Sequence, residues 1–204
     1  MNLLSKILKK PKKNYEEFTL LTVEEAKVYC KNSEKQLVRQ TIADLVNKEP
    51  SKTVLEIGCG NGIDASKYDS ECYTGIDISK SLTKVARENH PNHVFLTGNA
   101  IDYLKTFKFI DRKFDFIFAK AILEHLPSEE IALELFELMN EVGKTVLVAW
   151  HMKPRNKTKI MRVKGHFDKM VYQNYYNAKK FQMPNLNITK KDVENYELWI
   201  VTKI

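Results

Sequence analysis

From residue 53 to residue 150 the chain alternates short apolar runs with longer segments of mixed polarity. Mainly apolar runs of five or six residues at 53–57, 72–76, 93–97, 114–119 and 145–150 read as strands buried on both faces. The segments between them carry helix signals. Ser79 opens a helix over 80–89, and Ser128, followed by Glu129 and Glu130, opens one over 129–142 that Gly143 ends. Strand and helix in alternation predict a parallel sheet covered by helices on both faces.

The ends of the chain follow other patterns. Thr22-Val-Glu-Glu25 is a capping box with Leu21 as a staple, and Ser33-Glu-Lys-Gln36 is a second, so helices are expected over 23–31 and 34–47. Residues 172–182 read as a further helix, and 186–189 and 197–203 as two last strands with polar residues 190–195 between them. The leader places Leu3, Leu4, Ile7 and Leu8 at helical spacing among lysines until Pro11 stops any helix, which fits either a solvated tail or a short basic anchor.

At 204 residues and 43% hydrophobic content the chain suffices for one domain with a substantial core. No apolar stretch approaches the roughly 20 residues that span a bilayer, and no secretory signal follows the start; a soluble, cytoplasmic protein is expected. Three cysteines, Cys30, Cys59 and Cys72, without C-x-x-C spacing or a histidine cluster, argue against a disulfide framework and against a structural metal. The net charge of +7 is concentrated in residues 1–13 and 151–169.

The candidate chemistry begins where the first strand ends. Residues 54–62 read VLEIGCGNG, with Glu56 closing the apolar run, glycines at 58, 60 and 62, and a second acid, Asp77, 21 residues after Glu56. Glycines past a buried strand let the backbone approach a ligand, and an acid ending the next strand is placed for a ribose diol. The dinucleotide fingerprint G-x-G-x-x-G fails at Ile63, which disfavours a pyrophosphate.

This stretch resembles the first motif of the class I S-adenosylmethionine-dependent methyltransferases, (D/E)-x-G-x-G-x-G. The segments CYTGIDISKSL, HVFLTGNA and KFDFIFAKAILEHL follow in the family's order, the last giving a fourth strand and a helix, so the resemblance runs from about Thr53 to the C-terminus. It implies an α/β fold with a seven-stranded, mostly parallel sheet in the order 3-2-1-4-5-7-6 and an antiparallel seventh strand. The resemblance implies S-adenosylmethionine as cofactor, and the chain divides into an N-terminal tail and helical lid at 1–51, with residues 23–47 expected over the cofactor, and a methyltransferase domain at 52–204. Glu56 would orient the glycine loop and the methionine amino end, Gly58, Cys59 and Gly60 would line the cofactor, and Asp77 with Ile78 would take the ribose. Cys59 itself reads as a packing residue rather than a nucleophile. Asn99, where many relatives carry Asp, and Ala100 would meet the adenine, and Ala119 would border the site after the fourth strand.

No D/N-P-P-Y/F follows that strand, which argues against methylation of bases or of glutamine. His125, in a V-L-x-H-like segment, and His151, just past the fifth strand, are the candidate bases. Tyr172, Asn174, Tyr175, Tyr176 and Arg162 lie where related enzymes build an acceptor pocket, and the basic run before them favours a small anionic acceptor: a metabolite, a sugar or a lipid head group. Two alternatives stay open: an RNA methyltransferase that uses the basic and aromatic segments, and a regulator that binds the cofactor without catalysis.

Overall fold

The computed structural model describes residues 21–29, 36–48, 52–165, 167 and 169–204. The basic leader, Cys30 and the start of the second capping box lie outside them.

The central sheet has seven strands in the order β3-β2-β1-β4-β5-β9-β8. The strands β1 (Val54–Ile57), β2 (Tyr73–Asp77), β3 (Val94–Thr97), β4 (Phe114–Lys120) and β5 (Gly143–Trp150) pair in parallel. β9 (Tyr196–Lys203) runs antiparallel to both β5 and β8 (Leu186–Val193). The order and the antiparallel strand are those the family resemblance implied.

Two cores lie on opposite faces, as the period of two along each strand requires. In β5, Val146, Val148 and Trp150 enter one core, while Leu147 and Ala149 enter the other. The first core is closed by helix α4 (Ala100–Phe109), through Ile101, Leu104 and Phe107, and by α5 (Glu129–Val142), through Leu135, Phe136 and Met139. The second is closed by α2 (Gln36–Val46), whose Val38, Ile42 and Val46 recur at four-residue steps, and by Ala86 of α3 (Lys80–Asn89). The short helix α1 (Val23–Val28) opens with the expected capping box: Thr22 N donates to Glu25 Oε2 at 2.8 Å, and Glu25 N donates to Thr22 Oγ1 at 3.2 Å. It packs Leu21 and Ala26 against Leu82 and Val85 of α3. Among the described residues, no helix is long and apolar enough to cross a membrane.

Ser79 and Ser128 cap α3 and α5 as expected, by accepting from Leu82 N and Ile131 N. Elsewhere the structure corrects the sequence pattern. The helix expected over 172–182 is absent. In its place β7 (Met170–Tyr172) pairs antiparallel with β6 (Arg162–Lys164), Tyr175 bridges to Lys159, and only a 3-10 turn, Ala178–Phe181, follows. The Asn174 and Asn177 side chains bind main-chain groups there and compete with helical hydrogen bonding. The polar residues between the last two strands mostly extend β8, an edge strand that tolerates an exposed polar face, and the chain reverses at Glu194, whose φ is 52°. After β4 the expected helix is a 3-10 turn, Leu123–His125.

Candidate active site

The C-terminal ends of β1, β2 and β4 converge where the strand order reverses, the usual ligand crevice of an open α/β sheet. A cavity of about 160 Å³ opens there. Its floor is the glycine loop after β1. Gly58, Gly60 and Gly62 have φ of 73°, 57° and 77°, in the left-handed region that glycine enters without steric cost. A Cβ on Gly58 would lie 2.0 Å from Ile122 Cδ1, so the first glycine also makes room for the opposite wall. Cys59 is buried in the second core, and burial pushes its thiol well above its ordinary value, in keeping with a packing role.

Asp77, at the end of β2, lines the cavity. Its Oδ2 accepts from Gly60 N at 2.9 Å and its Oδ1 from Ser79 N at 2.8 Å. These bonds tie the acid to the glycine loop and to the start of α3, so its direction is fixed before any ligand arrives. Burial raises its pKa, and the two backbone donors pull against that rise. Ile78, Gly98, Asn99, Ala100 and Ile101 form a mainly apolar wall beside it. Asn99 is also the cap of α4, with its side-chain oxygen accepting from Ile101 N at 2.9 Å.

The other end of the cavity is charged. Glu56, Arg39 and Lys120 line it, and Lys120 pairs with the buried Asp64 and stands 3.9 Å from Glu56. Arg39 Nε forms an ion pair with Asp64 Oδ2 at 3.7 Å, beyond hydrogen-bond reach, and both Arg39 Nε and Asp64 Oδ1 are buried without a hydrogen-bond partner. Unpaired buried donors and acceptors beside a cavity fit a ligand that carries both ammonium and carboxylate. The residues present therefore fit the methionine end of the cofactor at this end and its nucleoside against Asp77 and the apolar wall.

Glu56 Oε2 accepts from Tyr73 OH at 2.5 Å. Burial pushes the Glu56 carboxyl up to about 7, although the nearby Lys120 lowers it. An acid raised on folding binds more protons folded than unfolded between its unfolded value of about 4.3 and 7. Its contribution to stability is therefore complete at the acidic side of that window and lost as pH rises through about 7. Thermal melts of the ligand-free protein from pH 5 to pH 8 should show this decline, and Glu56→Gln should flatten it; an unchanged slope in the variant would assign the titration elsewhere.

His125 lines the cavity beyond Ala121, whose φ of 52° turns the chain sharply off β4. A non-glycine residue held there costs on the order of 1–2 kcal/mol. That turn brings Ile122 and His125 to the wall. His125 Nδ1 meets the Tyr172 main-chain carbonyl, which only accepts, so Nδ1 carries the proton in the neutral ring and Nε2 is the basic nitrogen.

Of the other sequence candidates, Glu56, Gly58, Cys59, Gly60, Asp77, Ile78, Asn99 and Ala100 all line this cavity. Ala119 is buried within β4, and the wall is made by Lys120, Ala121 and Ile122 just after it. His151 is exposed and does not line the cavity; its main-chain N donates to Glu124 Oε1 at 3.0 Å, and its ring packs on Tyr196. Nor do Tyr172, Asn174, Tyr175, Tyr176 or Arg162 line it. Asn174 and Tyr176 are buried and act behind the wall: Asn174 Nδ2 donates to Leu126 O at 2.7 Å and Tyr176 OH donates to the same oxygen at 2.8 Å. Tyr175 lies under the Arg155 guanidinium at 3.9 Å, and Tyr172 under that of Arg162 at 5.4 Å. Glu129 fastens this region to α5: burial would raise its pKa, but Lys180, Thr158 and Asn177 N together hold it below the ordinary value.

The sequence reading missed Tyr29, Arg39, Lys120 and Ile101. Lys120 carried a signal, a lone charge closing a buried strand. Arg39 carried only its place beside the apolar stripe of α2.

A family model described as a methyltransferase domain matches residues 48–198. The ubiquinone biosynthesis O-methyltransferase of Glaesserella parasuis is 28% identical over 164 residues, 76% of this chain and 70% of that protein. The mitochondrial ubiquinone biosynthesis O-methyltransferase of Saccharomyces cerevisiae is 28% identical over 122 residues, 57% of this chain but only 37% of that protein. Among solved structures, CalS10, an amino pentose methyltransferase from Micromonospora echinaspora with S-adenosylmethionine bound, has a TM-score of 0.66 at 12% identity, over 90% of this chain and 98% of that one. The chain belongs to the methyltransferase-domain family, as an enzyme of the class I, S-adenosylmethionine-dependent kind.

Proposed function

We propose that the protein transfers the methyl group to a small, anionic acceptor, with His125 as the base that removes the acceptor's proton. The observation that carries this reading is the meeting in one cavity of the glycine loop, Asp77 and a histidine whose Nε2 is the basic nitrogen. When bound, S-adenosylmethionine supplies a methyl group already activated by its sulfonium. The protein's part is then to position the reactants and take a proton. Holding reactants in line is worth on the order of 7–11 kcal/mol.

In this reading Asp77 takes the ribose hydroxyls, Glu56 the amino group, and Arg39 with Lys120 the carboxylate. Residues 21–29 serve as a lid: Tyr29 lines the cavity, and Asn61 Nδ2 of the glycine loop donates to Tyr29 O at 2.5 Å and Ala26 O at 3.3 Å. The anionic preference rests on the exposed Lys157, Lys159 and Arg162, in the segment that reaches Tyr172 behind His125. Cytoplasmic action accords with the free thiols of Cys59 and Cys72.

The RNA alternative is supported less well, because the Tyr172 and Tyr175 rings already lie under arginines. The reading is tested by incubating the protein with methyl-labelled cofactor and a panel of carboxylated, phosphorylated and phenolic acceptors. Acceptor-dependent release of S-adenosylhomocysteine is expected. Tight cofactor binding with no transfer to any acceptor class would favour a regulator instead.

A further inference from the structure

The segment between β5 and β8 leaves the sheet and presents Ile160, Phe167 and Met170, which are 47%, 39% and 42% exposed. The same segment carries the exposed cations Lys157, Lys159 and Arg162. In the β6–β7 hairpin Arg162 is paired with Tyr172 and Lys164 with Met170, so these four share one face, and Val163 with Val171 the other. Phe167, at φ 55°, lies in the turn that joins the two strands.

Large apolar side chains left in water among cations suit neither of the other anionic partners. A soluble anion would account for the cations but not for the large apolar side chains exposed in the same segment. Single-stranded RNA needs open aromatic faces for its bases, and the tyrosines here lie under guanidinium groups. A bilayer interface accepts both features at once, with apolar side chains below the head groups and cations against anionic lipid.

We infer that this hairpin and the strand before it dock the protein on an anionic lipid surface. The docking face adjoins the cavity by two links. Tyr172, the last residue of β7, holds His125 through its carbonyl, and Lys169 Nζ lies 3.7 Å from Glu25 Oε1 of α1. A lipid surface seated on this face therefore borders the active-site mouth, and the acceptor is the head group of an amphiphile held in that surface. This last step rests on the proposed acceptor reading; the docking itself does not.

The test is flotation of the full chain with phosphatidylcholine vesicles, with and without phosphatidylglycerol, at low and high salt. Binding is expected only to the anionic vesicles and should weaken with salt. An Ile160→Ser, Phe167→Ser, Met170→Ser variant and a Lys157→Gln, Lys159→Gln variant should each lose about tenfold or more in vesicle affinity. Affinity for S-adenosylhomocysteine should stay unchanged in both, which separates this proposal from the cofactor reading. Phe167→Trp in the otherwise intact chain reports directly on the turn, since Trp150 and Trp199 are fully buried, and its fluorescence should shift to the blue with anionic vesicles. Three results would overturn the inference: no wild-type binding to anionic vesicles, no shift at position 167, or binding that both multiple variants retain. Stronger binding to single-stranded RNA than to the vesicles would also refute it.

Discussion

Replacing Asp77 by alanine is expected to weaken binding of S-adenosylhomocysteine by about a hundredfold or more. A hydrogen bond to a charged group contributes about 1.5–3 kcal/mol, and two of them to a ribose diol, at the low end, correspond to two decades of affinity. The geometry leaves room for both bonds. Gly60 N and Ser79 N each occupy one carboxylate oxygen, and each oxygen has a further lone pair for a ligand. The alanine variant also frees two main-chain donors that shape the glycine loop. Asp77→Asn, which keeps the shape and loses the charge, should fall between alanine and the wild type. Calorimetry with S-adenosylhomocysteine measures both, and unchanged affinity in the alanine variant would remove Asp77 from the cofactor site.

The second large effect falls on the chemical step. His125→Ala should lower kcat by about 10²–10⁴ for an acceptor that must lose a proton, the usual contribution of a positioned general base. Cofactor affinity should stay near the wild-type value, because the cofactor contacts assigned here belong to other residues. The turn that carries His125 is anchored independently of the imidazole: Asn174 N donates to Glu124 O at 2.9 Å, and Leu126 O takes both Asn174 and Tyr176. Loss of the ring therefore leaves the wall standing. Steady-state kinetics with any acceptor found in the screen would check this, and an unaffected kcat would place proton removal elsewhere.

Strands β1 to β5 and four of the helices were legible because their causes are local. Apolar runs give β1 to β5, and the hydroxyl caps Ser79 and Ser128 locate α3 and α5 within a residue. The site's floor was legible for a similar reason, since a glycine-rich turn and two strand-ending acids imply their own geometry. The stretch 172–182 was misread because Tyr172, Tyr175 and Tyr176 fall at helical spacing with no glycine or proline among them. What decides that stretch is long-range: Asn174 binds Leu126 O, and Tyr175 N donates to Lys159 O at 3.0 Å. Helix α4 was overlooked because Asn99 was read for its ligand chemistry and not as a cap, although Ile101, Leu104 and Phe107 recur every three residues. The charged end of the cavity was hidden because Arg39, Glu56, Asp64 and Lys120 come from four separated segments that only the folded sheet brings together. Tyr172, Asn174, Tyr175, Tyr176 and Arg162 fall outside the cavity lining for the same reason.

That the cavity at the ends of β1, β2 and β4 holds S-adenosylmethionine is open to direct measurement. Calorimetric titration with S-adenosylhomocysteine, and with NADH in parallel, tests it most directly. Binding of the homocysteine compound alone, with a dissociation constant of about a micromolar and its loss in Asp77→Ala, is the predicted result. A folded sample that binds neither, or that binds NADH in its place, would contradict the assignment of this cavity to S-adenosylmethionine.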